Sequence, residues 1–342
     1  MRKVALIGFL VLAVICMACV SVLSIAGTPA QKQDATLEPL RALLSTPEPQ
    51  LDLAKAKLTI DHMIDPTIDV PGTLKQLDIL AAKIKARFPA GATKRAKVDI
   101  LLSSLYEPGP WNDYRSFSYD LNDPFGKAIR NKLISTYLIS RKGNCVSMPI
   151  LFVILGQKLD LNVTLATAPE HLLVKFGDDE KQQWLNIEAT AGGFKFDSSY
   201  ERETGISPTA IENAIYLRPL SQRESVAIMM STLMQFYGDQ NQQIRRIAVA
   251  DLALTVDPKD VAAMQAKGAA YYLLIQQRYR SKYSKAEQIP PDKRQDYLNL
   301  SRENLLWYAK AEALGWTEPT RTQDANYLKS IQREKAARQG AR

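Results

Sequence analysis

The sequence contains one cysteine and one histidine whose positions suit nucleophilic catalysis. Of its three cysteines, Cys16 and Cys19 lie in an apolar N-terminal segment, which leaves Cys145 for the rest of the chain. Of its two histidines, His62 falls in a helical stretch and is interpreted as structural, whereas His171 opens a predicted strand. A thiol attacks a carbonyl carbon as the thiolate, and a neighbouring imidazole moves the proton. The two residues predict a thiol centre with Cys145 as nucleophile and His171 as base.

The local sequence places Cys145 at the start of a helix. The turn Lys142-Gly143-Asn144 precedes it, and residues 145–158 form an apolar segment with Pro149 near its beginning, where proline is tolerated. Backbone N–H groups in the first turn of a helix have no intrahelical partner, so they can stabilise a thiolate or bind an oxyanion. We expect the backbone N–H of Cys145 to take the oxyanion role.

After this helix the apolar pattern changes to the two-residue period of β-strands. Three short strands are predicted over residues 161–167, 171–176 and 183–187. The polar connection 177–181 indicates that the last two strands form a hairpin. His171 is therefore expected on a small antiparallel sheet.

The hairpin supplies a third member for the site. Facing residues of an antiparallel pair have numbers with a constant sum, and a turn centred on Asp179 and Glu180 sets that sum at 359. His171 then faces Glu188, whose carboxylate can hold the imidazole in the required tautomer. A bulge in the connection would present Asn186 instead. We expect Glu188 as the orienting acid, with Asn186 as the alternative.

The composition argues against two other kinds of site. Two distant histidines and one cysteine fall short of a zinc ligand set, so we expect no metal and no cofactor. The formal charge is +8, but the lysines and arginines are spread along the chain without a basic stripe. We therefore expect no nucleic-acid partner.

The N-terminus has the pattern of an export signal. Arg2 and Lys3 precede a charge-free apolar run over residues 4–25. The run is close to the ~20 residues that span a bilayer, which favours an uncleaved membrane anchor. Cleavage after Ala26 is the alternative, because small residues stand at the positions that a signal peptidase reads. Either way, the rest of the chain is expected in the periplasm or another extracytoplasmic space.

Length and composition predict two folded parts. The chain has 342 residues, of which 46% are apolar, and this exceeds the needs of one small core. Residues 1–30 are the predicted signal peptide or anchor, 31–50 a linker, 51–215 an α+β domain that holds the site, and 216–342 a helical domain. Helix pairs around Asp257-Pro258 resemble tetratricopeptide repeats, with a plain helical bundle as the alternative.

Three motifs resemble, in their order, those of a known family. They are RKGNCVSMP over residues 141–149, APEHLLV over 168–174 and NIEAT over 186–190. The stretch 51–193 is similar to SirB-type bacterial proteins of the transglutaminase-like superfamily, which often carry tetratricopeptide-like repeats after the core. The resemblance implies a papain-like core, in which one helix packs on an antiparallel sheet. It also implies a catalytic triad of Cys145, His171 and Glu188, although related branches commonly have aspartate at the third position.

These inferences predict an exported thiol-dependent amide hydrolase or peptidase that acts on a peptide or protein. Acyl transfer to an amine uses the same first step, so acyltransferase activity stays open. The alternative is a non-catalytic envelope protein with a vestigial triad, which binds peptides or a protein partner on its helical repeats.

Overall fold

The computed structural model describes residues 35–322 and, beyond them, residues 325, 328, 329, 332 and 336. The chain divides into two units, residues 1–36 and 37–342. The predicted signal or anchor segment, residues 1–30, lies outside the described residues. Among the residues that are described, no helix is both long and apolar enough to cross a bilayer.

Three of the first five helices in the second unit have polar N-caps. The side chains of Asp52, Asp69 and Thr93 each accept hydrogen bonds from backbone N–H groups of the turn that follows. The five helices of this part are α1 (Glu38–Ser45), α2 (Leu53–Ile64), α3 (Val70–Lys85), α4 (Lys94–Tyr106) and α5 (Ile134–Ser140). Two short strands, β1 (Ser118–Tyr119) and β2 (Lys142–Gly143), pair in parallel just before the central helix.

The central helix, α6 (Ser147–Lys158), is buried over residues 147–156. A helix that is apolar on all sides must pack against other elements on all sides. On one side, α6 packs against an antiparallel sheet with the strand order β3-β4-β5-β6. Its strands are β3 (Val163–Ala168), β4 (His171–Asp178), β5 (Gln183–Glu188) and β6 (Gly193–Lys195). Helices α2 to α5 also contact α6, so the predicted arrangement of one helix packed on a small sheet is present.

The register of the β4–β5 hairpin differs from the predicted one by two residues. Asp178 faces Gln183, so the numbers of facing residues sum to 361 and not to 359. The connection is residues 179–182, because the Asp178 side chain accepts hydrogen bonds from the N–H groups of Glu180 and Lys181. A shift by two residues leaves each side chain on its predicted face.

Helices make up most of the remaining described chain. Successive helices contact one another from α10 to α13, while the assignment to tetratricopeptide-like repeats stays a prediction. The helices are α7 (Asp197–Thr204), α8 (Pro208–Glu212), α9 (Gln222–Met229), α10 (Ser231–Asp239), α11 (Gln243–Val256), α12 (Val261–Ile275) and α13 (Pro291–Ala313). The predicted α+β class is confirmed.

One hydrophobic core includes side chains from both sides of residue 215. Leu58 of α2, Phe152 of α6, Met229 of α9 and Val249 of α11 belong to it. The stretch predicted as a linker also contributes, since residues 38–45 form α1 and Leu40 is fully buried. The leucines of α1 lie on one face of the helix and pack inward, while the division of the chain into domains stays a prediction.

Candidate active site

Cys145 lies in the turn immediately before α6, two residues ahead of Ser147. The turn starts at Asn144, whose carbonyl accepts from the N–H of Met148 at 3.1 Å. The Asn144 side chain accepts from the N–H groups of Val146 and Ser147 at 3.0 and 3.2 Å, so it caps the helix. Within the described chain, the N–H of Cys145 itself has no hydrogen-bond partner. The thiol is partly exposed.

His171 is the first residue of β4, and Glu188 is the last residue of β5. His171 Nε2 and Glu188 Oε2 are 2.8 Å apart. The prediction that the two residues face each other is wrong, because the observed register makes them a diagonal pair on one face of the sheet. Their side chains still reach each other, because diagonal neighbours are close enough for long side chains.

The Cys145 thiol lies near the His171 imidazole, at the wall of the same cavity, and it helps to raise the pKa of His171. Cys145 Sγ lies 4.0 Å from the carbonyl oxygen of Glu170, the residue before His171. Since Glu188 binds Nε2, Nδ1 is the ring nitrogen that remains for a proton transfer with the thiol. The structure thus brings Cys145, His171 and Glu188 into one chain of contacts.

Two further residues hold the Glu188 carboxylate. Tyr200 of α7 donates its hydroxyl to Oε2 at 2.8 Å. Thr190 donates its backbone N–H and its hydroxyl to Oε1, at 3.0 and 2.6 Å. With the imidazole, the carboxylate has four donors and is fixed in one orientation.

These contacts lower the pKa of the Glu188 carboxyl group and raise the pKa of the His171 imidazole. Burial alone would raise the pKa of Glu188, but the charge of His171 and the hydrogen bonds from His171, Thr190 and Tyr200 outweigh it and lower the pKa to about 2. Burial opposes the charged imidazole as well, yet Glu188 and Cys145 raise the pKa of His171 to about 10. At neutral pH the pair is therefore a carboxylate and an imidazolium.

Asn186, the alternative third member, lies in a different network. It faces Lys175 across the hairpin, and its Nδ2 donates to Asp197 Oδ1 at 2.6 Å. Lys175 binds the same Asp197 oxygen at 2.9 Å. No hydrogen bond between Asn186 and His171 occurs in the described structure, so Asn186 does not orient the imidazole.

The thiol and the imidazole open into a cavity of about 230 Å³. Cys145, His171 and Lys132 line it from the side of α6 and the sheet. Asp260 and Trp316 line it from the C-terminal helices. Across residues 35–322 and the few described beyond them, no group of three or more His, Cys, Asp and Glu side chains could hold a metal ion.

Sequence reasoning did not find three residues of this site. Thr190 had a local signal, since a hydroxyl two residues after a carboxylate commonly bonds back to it. Tyr200 and Lys132 had none, because only the packing of distant segments brings them to Glu188 and to the cavity.

Comparisons with known proteins agree with this geometry. Residues 72–231 match the family described as the Transglutaminase-like superfamily, and this range includes Cys145, His171 and Glu188. A UPF0162 protein of Buchnera aphidicola subsp. Acyrthosiphon pisum is 27% identical over 143 residues, which are 40% of this chain and 52% of the relative. A UPF0162 protein of Buchnera aphidicola subsp. Schizaphis graminum has the same identity and coverage.

The chain thus spans about half the length of the curated relatives that it matches. No solved structure gives a significant match. The SirB-type subgroup and the tetratricopeptide-like repeats stay predictions. The comparisons thus show a region, residues 72–231, that is similar to the Transglutaminase-like superfamily.

Proposed function

We propose that this chain is an exported thiol-dependent amide hydrolase whose catalytic triad is Cys145, His171 and Glu188. One observation carries the proposal: a His171–Glu188 ion pair lies beside the Cys145 thiol at the wall of a cavity. An imidazolium next to a thiol favours the thiolate, which is the nucleophilic form. The transglutaminase-like match supports a cysteine-dependent hydrolase or acyltransferase in general.

In the first half-reaction, the Cys145 thiolate attacks the carbonyl carbon of an amide. A carbon–sulfur bond forms and the carbonyl π electrons move to oxygen. The unpartnered N–H of Cys145 donates to this oxyanion. The oxyanion then collapses, the carbon–nitrogen bond breaks, and the proton on His171 Nδ1 passes to the leaving amine.

In the second half-reaction, water resolves the thioester. Neutral His171 removes a proton from water, whose oxygen attacks the acyl carbon. The carbon–sulfur bond breaks, a carboxylic acid leaves, and the thiolate and the imidazolium are restored. An amine in place of water would give acyl transfer by the same steps.

An activated ester tests the proposal without knowledge of the natural substrate. With p-nitrophenyl acetate, the protein should release a burst of nitrophenol and carry an acetyl group on Cys145, detected by peptide mass spectrometry after acid quench. Cys145→Ala should show neither signal. If Cys145 is acetylated no faster than N-acetylcysteine under the same conditions, the enzyme proposal fails.

The alternative is a non-catalytic envelope protein that binds a peptide or protein partner through its C-terminal helices. The observation that favours it is a set of exposed leucines on α13, where Leu298 is 57% and Leu305 is 67% exposed. These residues are seven apart and share one face of the helix. If Cys145→Ala restores the phenotype of a deletion strain as well as the wild-type gene, the binding role is the correct one.

A further inference from the structure

Lys132 is a cation at the thiol cavity that the mechanism so far does not use. It ends the short helical turn Ile129–Lys132 and lines the same cavity as Cys145. Its ammonium donates one hydrogen bond to Gln235 Oε1 on α10. Within the described chain it forms no ion pair with a carboxylate; the charge that acts on it most strongly is that of Cys145, ahead of Lys57, Asp123 and Asp239.

An ammonium in this position lacks most of its usual partners. Lysine has three donors, and here one is used by a neutral amide. Lys132 is half-buried, and this burial lowers the pKa of its ammonium group. Cationic groups in such surroundings are normally paired with an anion. The free side of Lys132 therefore faces a place where an anion would be stabilised.

The other charged residues of the cavity already have partners or solvent. Glu224 and Asp257, which line the cavity, both accept from Arg218, at 2.8 and 2.7 Å. Asp260 caps α12 by accepting from the N–H of Ala263 at 2.9 Å. The other two charged residues that line the cavity, Glu170 and Lys259, are exposed, and Lys259 donates to the carbonyl of Asn213. On the thiol side, Lys132 is thus the cavity-lining cation without a carboxylate partner in the described chain, and its neighbour there is Cys145.

We propose that Lys132 binds a carboxylate of the substrate, so that the scissile amide lies next to a free carboxylate, as in the last residue of a peptide. The inference rests on the proposed amide hydrolase and names its substrate class. A cavity of about 230 Å³ is smaller than the ~300–1,000 Å³ that encloses drug-sized ligands, which favours a chain end over a continuous polypeptide.

Two alkylating reagents of similar shape can test the role of Lys132. Iodoacetate is an anion and iodoacetamide is neutral, and both alkylate Cys145. The measured quantity is the ratio of the two rates, relative to the same ratio for N-acetylcysteine. Lys132→Gln should lower this ratio roughly three- to tenfold, the size expected for one charge across a partly solvated gap. Lys132→Arg should keep it.

Two further variants separate a local charge from folding and from general attraction. Gln235→Glu keeps Lys132 but gives it a carboxylate partner, and it should lower the ratio as well. Lys142→Gln removes an exposed lysine that does not line the cavity, and it should leave the ratio unchanged. If Lys132→Gln leaves the ratio unchanged, or slows both reagents equally, Lys132 does not select a carboxylate.

A binding measurement covers the case in which Cys145 proves unreactive and the enzyme proposal fails. In the Cys145→Ala variant, N-acetylglycine should raise the melting temperature more than N-acetylglycinamide does, and Lys132→Gln should abolish the difference. Equal effects of the acid and the amide would overturn the Lys132 proposal on its own.

Discussion

At the scale of single residues, the site depends on how the Glu188 carboxylate is held. Tyr200 and Thr190 donate to its two oxygens, so the carboxylate cannot turn away from His171. The imidazole is oriented in turn by its Nε2 contact with Glu188, which leaves Nδ1 for the proposed proton transfer. Residues that touch no substrate in the proposed mechanism therefore set the direction in which the proton moves.

The His171–Glu188 pair predicts a pH-dependent stability. The pKa of Glu188 is lowered from 4.5 to about 2, so its contribution is present above pH 4.5 and is lost as the pH falls towards 2. The pKa of His171 is raised from 6.5 to about 10, so its contribution is full below pH 6.5 and is lost as the pH rises towards 10. The difference in melting temperature between the wild type and Glu188→Gln should be largest between these limits, from pH 4.5 to 6.5.

Thermal denaturation across the pH range measures this difference. Glu212→Gln is the matched control, because Glu212 is an exposed glutamate outside the site, and its effect should be near zero throughout. A Glu188→Gln effect that is the same at pH 3, 6 and 9 would contradict the ion pair.

Substitutions at the site should affect the acetylation of Cys145 to different degrees. Cys145→Ala should abolish it, and Cys145→Ser should do nearly as badly, because a hydroxyl is far harder to ionise than a thiol. His171→Ala should lower the acetylation rate roughly a hundredfold or more, since the base and the cation are both lost. Glu188→Gln keeps a hydrogen bond but loses the charge, so we expect a loss of roughly ten- to a hundredfold.

Asn186→Ala is the control for this series. Asn186 belongs to the Asp197 network, so its removal should change the acetylation rate by less than about threefold. If Asn186→Ala removed the activity while Glu188→Gln left it intact, Asn186 would be the third member of the site.

At the scale of elements, the β4–β5 hairpin shows what the two-residue period of a strand can predict: the face on which a side chain lies, but not its neighbour on the next strand. The period assigned the faces of β4 and β5, so His171 and Glu188 were expected on the same face and do lie there. The register was wrong because it depends on the turn, and Asp178 extends β4 by binding the turn N–H groups. A shift by two residues conserves the face but exchanges the neighbours.

The contacts of Lys132 and Tyr200 could not be predicted in the same way. Lys132 meets Gln235 from a helix about a hundred residues later, and Tyr200 meets Glu188 only because α7 packs beside the sheet. Such contacts depend on tertiary packing, which a local pattern does not contain. The start of α6 is different, since Asn144 next to an apolar run is a local cap signal.

The Asn144 cap should therefore be measurable. Asn144→Ala removes the acceptor for the N–H groups of Val146 and Ser147, and we expect a loss of about 1–2 kcal/mol in the free energy of unfolding. Asn144→Ser keeps a capping oxygen and should retain most of the stability. Urea denaturation measures both, and equal stabilities of the two variants would argue against the cap.

At the scale of the whole molecule, the proposed export would place the cavity outside the cytoplasm. The positive Arg2-Lys3 before the apolar run predicts that residues from about Gln31 onward lie beyond the cytoplasmic membrane. Protease added to spheroplasts should then digest the C-terminal helices, while a cytoplasmic marker protein stays intact. Protection of both proteins would refute export.

The shared core makes a second prediction for the molecule as a whole. Helices α9 and α10 pack on α2, and Met229 and Leu233 are fully buried in the same core as Leu58 and Phe152. A fragment of residues 51–215 lacks α9 and α10, so side chains such as Leu58 and Phe152 would become exposed to water. Each apolar side chain that is left exposed lowers the free energy of unfolding by about 1.5–3 kcal/mol. Several such losses together are as large as a net stability of about 5–15 kcal/mol.

We therefore expect the 51–215 fragment to lack a cooperative thermal transition and to bind the dye ANS, as loosely packed chains do. A fragment of residues 37–322 keeps both sets of helices, and it should unfold cooperatively, as monitored by circular dichroism. If residues 51–215 alone gave a sharp transition with no dye binding, the predicted division after residue 215 would mark two independent domains. The C-terminal helices would then be an addition to the site and not a part of the core that supports it.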